Sequence, residues 1–256
     1  MDVDFRDIEK YTLILVKTLF AILVMLIMFS FIELEANKLP PEEIAKKLEE
    51  AKELRRAVAR ENAGIKSNEN FPDVWPPKMN TTYPEIELFD QTGREFLLSS
   101  LQKRVLVVEY IDISSPVSQA QSGAYLAGPY YAAATTEIDE YAEPFADVLR
   151  KNSETNVILP DDNIIELKII VYGEGGGPGT RDDAQNWAKH FNLNISDNVI
   201  VAVPKKDFRG KETQEIIGGY HLVDKNLRLR VDSAGPMPKH NLKMTLAPLA
   251  AKLMKH

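Results

Sequence analysis

The chain has 256 residues, 44% hydrophobic and 27% charged, with 13 glycines, 15 prolines and no cysteine. That composition excludes a disordered chain, a collagen-like repeat and a disulfide-stapled miniprotein. The missing thiol excludes disulfide exchange through the chain's own sulfurs, thiol peroxidation, Cys-ligated zinc and iron–sulfur clusters. A net charge of −7 with no dense Lys/Arg stripe argues against nucleic acid as a partner, because phosphate recognition needs a concentrated basic face.

Residues 1–10 form a net acidic tail, and residues 11–32 (YTLILVKTLFAILVMLIMFSFI) are apolar apart from Lys17. A helix over that run, at about 1.5 Å per residue, reaches across a hydrocarbon core of about 30 Å, so the segment is predicted to be one transmembrane helix with the lipid bilayer as its partner. Lys17 lies close enough to the start for its stem to run back to the headgroups. A cleaved signal peptide fits less well: the preceding tail is acidic and no small-x-small site follows Ile32. Arg6 and Lys10 before the run nearly balance Lys38, Lys46 and Lys47 after it, so charge bias does not set the sidedness.

Residues 39–64 open with Pro40-Pro41-Glu42-Glu43 and close at Gly64, a helix start and stop. Ile44, Leu48, Ala51, Leu54 and Val58 form a seam at helical spacing, narrow and flanked by charges, which predicts a helical stalk that is either solvated or a docking helix for another subunit. Residues 65–82 are rich in Asn, Pro and Ser without a period, an extended linker that Trp75 pins to a surface.

A globular domain is expected over 83–256. Residues 83–89 and 94–98 flank the turn Asp90-Gln91-Thr92-Gly93 as a hairpin, and 104–113 (RVLVVEYIDI) reads as a central strand covered on both faces. A helix should begin near Ser115-Pro116. Strand 167–172, helix 180–191, strand 199–203, a hairpin over 220–223 and 228–231, and a closing helix over 242–254 follow, giving an α/β sandwich around a mixed sheet.

Three stretches in order, YPEIELFDQTGREFLLSSL, RVLVVEYIDISSPVSQAQ and GGYHLVDKNLRLR, together resemble the thioredoxin-like superfamily in its peroxiredoxin, thiol-disulfide oxidoreductase and Sco-type branch. Leu88, Asp90, Gly93, Leu98 and Leu101 match the branch's opening hairpin, and His221-Leu222-Val223-Asp224 is similar to its later strand and turn. The resemblance implies an α/β thioredoxin-like mixed sheet flanked by helices, with an insertion at about 119–163. It also implies a Cys-Pro-x-Cys redox motif where this chain has Ser115-Pro116-Val117-Ser118, and a cis-proline facing that motif where this chain has Gly218. A thiol at a helix N-terminus is activated by the helix dipole, whereas a serine hydroxyl there needs a base. No His, Lys or carboxylate neighbours Ser115 or Ser118 in sequence, so both are read as helix-capping hydroxyls. Sco-type copper carriage would need a histidine near Ile216; the nearest, His221, belongs on a strand as a satisfied side chain. With His190, His240 and His256 scattered, no metal and no cofactor is expected.

The glycine turn 173–180 joins a strand to a helix, where a phosphate could sit. It lacks a P-loop ending, Pro178 removes a donor, and Asp182-Asp183 already complement the helix dipole with Thr180 as cap, which favours a plain turn. In the insertion, Tyr125, Tyr130, Tyr131 and Tyr141 on an alanine-rich background fit either core packing or a partner surface. Residues 233–238 are a turn-rich approach to the last helix. The expectation from all of this is a membrane-anchored, single-pass, redox-inactive protein with its domain on the periplasmic or outer face. It would be no enzyme, but a structural or accessory subunit or assembly factor of a membrane complex. Its rivals are a non-thiol enzyme and a ligand or peptide sensor using a pocket at the former redox site.

Overall fold

The computed structural model describes residues 72, 75–130, 142–153, 157 and 159–255. The predicted tail, transmembrane helix, stalk and nearly all of the linker before Trp75 lie outside the described residues, as do Tyr131 and Tyr141 of the insertion. Among the described residues no helix is long and apolar enough to cross a membrane.

The opening hairpin forms as expected: β1 (Glu87–Asp90) and β2 (Glu95–Leu97) pair antiparallel. The Asp90 carboxylate closes the turn, accepting from the Thr92 and Arg94 backbone N–H groups at 2.9 and 3.0 Å. Next comes β3 (Val105–Asp112), buried along nearly its whole length, then α1 (Pro116–Gln121) and α2 (Ala124–Ala127). Of the insertion, α3 (Phe145–Asn152) is described; β4 (Ile164–Tyr172) follows and lies parallel to β3. Helix α4 (Arg181–His190) leads into β5 (Val199–Pro204), parallel to β4. A short α5 (Lys211–Gln214) precedes the antiparallel pair β6 (Gly219–Val223) and β7 (Leu229–Ala234). The chain closes with a π-turn (Leu242–Leu246) and α6 (Ala247–Met254).

The seven strands run in the order β2-β1-β5-β4-β3-β6-β7. Within it, β4-β3-β6-β7 is a parallel strand–helix–strand unit extended by an antiparallel hairpin and a terminal helix, the thioredoxin-like arrangement. The strand-to-helix pattern in the sequence accounts for it, since parallel neighbours need a crossover and antiparallel ones a tight turn.

Alternation along β3 divides the core. Leu106, Val108 and Tyr110 join Leu167, Ile169, Ala202 and Val223 on one face, covered by Trp75, Tyr83, Ile86 and Phe208. On the opposite face Val105 and Val107 pack under α3 and α6, and Ile111 and Ile113 pack with α4 around Trp187. The longer helices therefore cover one side, while the segment before β1 supplies much of the other cover. Trp75 packs edge-on against Tyr110 and donates its indole N–H to Thr213 Oγ1 at 3.0 Å. The predicted closing helix forms as one helical run whose first turn is widened to a π-turn ahead of Pro248, which has no amide hydrogen to donate; Asn241 caps the π-turn, its Oδ1 accepting from Lys243 and Met244.

Candidate functional site

The stretch Ser115-Pro116-Val117-Ser118 leaves the end of β3 and enters α1. Ser115 is extended (φ −76°, ψ 123°), Pro116 takes the first helical position, and the Ser115 hydroxyl accepts the Ser118 backbone N–H at 3.5 Å. Ser118 is not a cap: it lies inside the first turn, fully buried, and its hydroxyl has no hydrogen-bond partner among the described residues. The nearby Asp112 carboxylate accepts from the Ser114 N–H and hydroxyl, at 2.9 and 2.6 Å.

Gly218 lies opposite this turn. Its φ is +83°, and a Cβ there would stand 3.0 Å from Val117 Cγ1. One residue on, the Gly219 N–H donates to Gln121 Oε1 at 3.1 Å. The two segments that the resemblance aligns with a redox site thus meet, as a close contact in which Val117 closes on a glycine where the resemblance implies a proline ring.

Beneath α1 lies a charge cluster. Glu109 is paired in register with Lys168 across β3 and β4, and the Lys168 ammonium reaches Glu109 Oε2 at 2.5 Å, Glu166 Oε1 at 2.8 Å and the Gln121 carbonyl at 3.3 Å. Glu109 and Lys168 are fully buried, and Glu109 Oε1 has no hydrogen-bond partner among the described residues. Burial pushes the Glu109 carboxyl up to about 7, because one ammonium shared between two acids does not offset complete desolvation. Lys168 is held protonated, two flanking carboxylates overcoming the same burial. The sequence carries a signal for this cluster, Glu109 and Lys168 each flanked on both sides by apolar residues within a strand, which cannot both be buried unpaired.

On the other face, His221 lies on β6 as the sequence predicts, but only one of its two ring nitrogens has a hydrogen-bond partner among the described residues. Its Nδ1 lies 2.8 Å from the Tyr83 hydroxyl, which is 2.9 Å from that of Tyr110, and its Nε2 is 3.3 Å from Asp232 Oδ1 without hydrogen-bond alignment. Burial alone would raise the Asp232 carboxyl, but His221 and Lys239 hold it well below the usual range. Burial first, then Tyr110 and Asp232, push the Tyr83 phenol up.

The glycine turn uses most of its own backbone donors internally. Gly173 N–H goes to the Gly177 carbonyl, Gly176 to Gly173, Gly179 to Val171, and Thr180 to Asp183 Oδ2, while the Thr180 hydroxyl and Asp183 complete a capping box. Arg209 ties the turn down through the Gly176 carbonyl at 2.9 Å. Tyr130 packs on Trp187 and Phe191, and Tyr125 on α2 is about half exposed. Ile44, Leu48, Leu54, Val58 and Tyr131 lie outside the described residues. Among the described residues no group of three or more His, Cys, Asp or Glu side chains is placed to hold a metal ion.

No family model and no curated protein matches the chain. The solved structures it resembles are thioredoxin-like. A peroxiredoxin-like protein from Aquifex aeolicus is 13% identical over 70% of this chain and 90% of its own, at a TM-score of 0.41. BsSco, a member of the Sco family of cytochrome c oxidase assembly proteins, is 13% identical over 73% of this chain and 99% of its own, at 0.42. A SCO1/SenC family lipoprotein from Bacillus anthracis is 11% identical over 70% and 98%, also at 0.42. The class is a cysteine-free domain of thioredoxin-like fold, and it rests on the strand order.

Proposed function

We propose that the protein is a membrane-anchored, redox-inactive thioredoxin-like subunit or assembly factor that works through its surfaces. The observation that carries this is the state of the former redox turn: Ser115 is spent as a helix cap, Ser118 is buried without a base, and Val117 closes on Gly218. A serine nucleophile requires a base within hydrogen-bond reach, and Ser118 Oγ has none among the described residues. The apolar run at 11–32 supports the anchor.

The test is sizing of the full chain after mild detergent extraction from native membranes. Migration with a larger complex, retained in Ser115→Ala and Ser118→Ala, is the expected result. A monomer that turns over a defined substrate, and loses that turnover in Ser118→Ala, would overturn the reading.

A further inference from the structure

The last stretch of the chain has a charge pattern unlike the remainder. From 233 to 256 there is no Asp or Glu, while Lys239, Lys243, Lys252 and Lys255 lie there in a chain of net charge −7. The loop after β7 and the π-turn also present two large apolar side chains to solvent, Met237 at 88% and Met244 at 82% exposure. Methionine is ordinarily among the more buried residue types. Between them stand Lys239 and Lys243, with side chains 64% and 50% exposed.

The fold holds this presentation in place. The His240 N–H donates to the Asp232 carbonyl at 3.0 Å, the Ser233 hydroxyl donates to the His240 carbonyl at 2.9 Å, and Asn241 caps the turn that carries Met244. Lys239 contacts Asp232, and Lys243 contacts Glu143, a carboxylate that it shares with Lys151. Lys252 and Lys255 are exposed on and just after α6.

We propose that loop 236–244 is a contact for an anionic membrane surface, in which Met237 and Met244 seat at the headgroup boundary while Lys239, Lys243, Lys252 and Lys255 face lipid phosphates. Interfacial attachment needs this combination of apolar insertion and basic charge. Met237 stands on the loop after β7 and Met244 on the π-turn, each an exposed apolar side chain with lysines close in sequence, and apolar side chains set among basic ones are the combination that an anionic lipid surface takes up. The inference rests on the membrane-anchored reading for what brings the loop to a bilayer.

The absence of cysteine makes the test clean, since Met237→Cys or Met244→Cys gives a single site for an environment-sensitive dye. The full chain is reconstituted with vesicles of phosphatidylcholine alone or of equal parts phosphatidylcholine and phosphatidylglycerol, and flotation and dye emission are read together. Expected is a blue shift at both sites with phosphatidylglycerol only, reversed at about 1 M salt, where the screening length is about 3 Å. Lys252→Gln with Lys255→Gln, which breaks no ion pair among the described residues, should lower the docked-to-undocked ratio by up to about 25-fold, at about fivefold per lysine. A chain that floats with both vesicles while its dyes stay silent overturns the loop contact and leaves the anchor standing. A chain that does not float with phosphatidylcholine overturns the anchor, and the loop contact then stands or falls on salt-sensitive flotation with phosphatidylglycerol. Emission that shifts only on adding an acidic protein also overturns it.

Discussion

Replacing Glu109 by glutamine removes the acid buried between β3 and β4 and keeps its volume. The wild-type carboxyl sits at about 7 in the folded chain against an ordinary value of 4.5, because burial outweighs the attraction of Lys168. An acid whose folded value is raised takes up a proton on folding, so its effect is to lower stability as pH rises from 4.5 to about 7. At about 1.36 kcal/mol per pH unit, that interval corresponds to about 3 kcal/mol as an upper bound. Glutamine does not titrate, and Lys168 keeps its contact with Glu166. The variant should therefore gain on the wild type by up to about 3 kcal/mol between about pH 5 and about pH 8. Urea unfolding of the full chain in detergent micelles, followed by the fluorescence of the buried Trp187, measures the difference. Parallel pH profiles for the two chains would show that Glu109 is ionised throughout, and the account of the cluster would be wrong.

Removing the base should do the opposite: Lys168→Met leaves two acids uncompensated and should cost about 3–5 kcal/mol in the same urea experiment at neutral pH. Gly218→Ala combines a left-handed backbone with a contact to Val117, so it should destabilise by about 1–2 kcal/mol, and Val117→Ala in the same chain should return part of that loss in a double-mutant cycle. Thiols restored one at a time should differ in reactivity: Ser115→Cys, at the helix cap, should alkylate with iodoacetamide faster at neutral pH than the fully buried Ser118→Cys, and equal rates would contradict the geometry of the turn. Tyr83→Phe deletes the hydroxyl shared by Tyr110 and His221 and should cost about 1–3 kcal/mol, read as a lowered urea midpoint.

The hairpin at Asp90–Gly93, the start of α1 at Ser115-Pro116 and the Thr180 cap are legible in the sequence because each depends on residues close in the chain: a carboxylate bonding its own turn, a proline at a first helical position, a hydroxyl facing an amide three residues on. The closing helix expected over 242–254 forms over that span, but its first turn is a π-turn, a detail that apolar periodicity does not show. Sequence spacing alone makes Ser118 a cap alongside Ser115, yet one helix start accommodates its hydroxyl inside the turn, where burial determines what it meets.

Local chemistry along the chain was enough to determine the strands of the sheet and the helices at Ser115-Pro116, 180–191 and 242–254, though not the helices Ala124–Ala127, Phe145–Asn152 and Lys211–Gln214, together with the absence of any thiol at positions 115 and 118 and the apolar run at 11–32. Only the folded sheet decided that Glu109 would face Lys168, that Tyr83 would join His221 across the core, and that Val117 would close on Gly218. Those pairings depend on strand register and on which residues are excluded from water together, and both are properties of segments far apart in sequence.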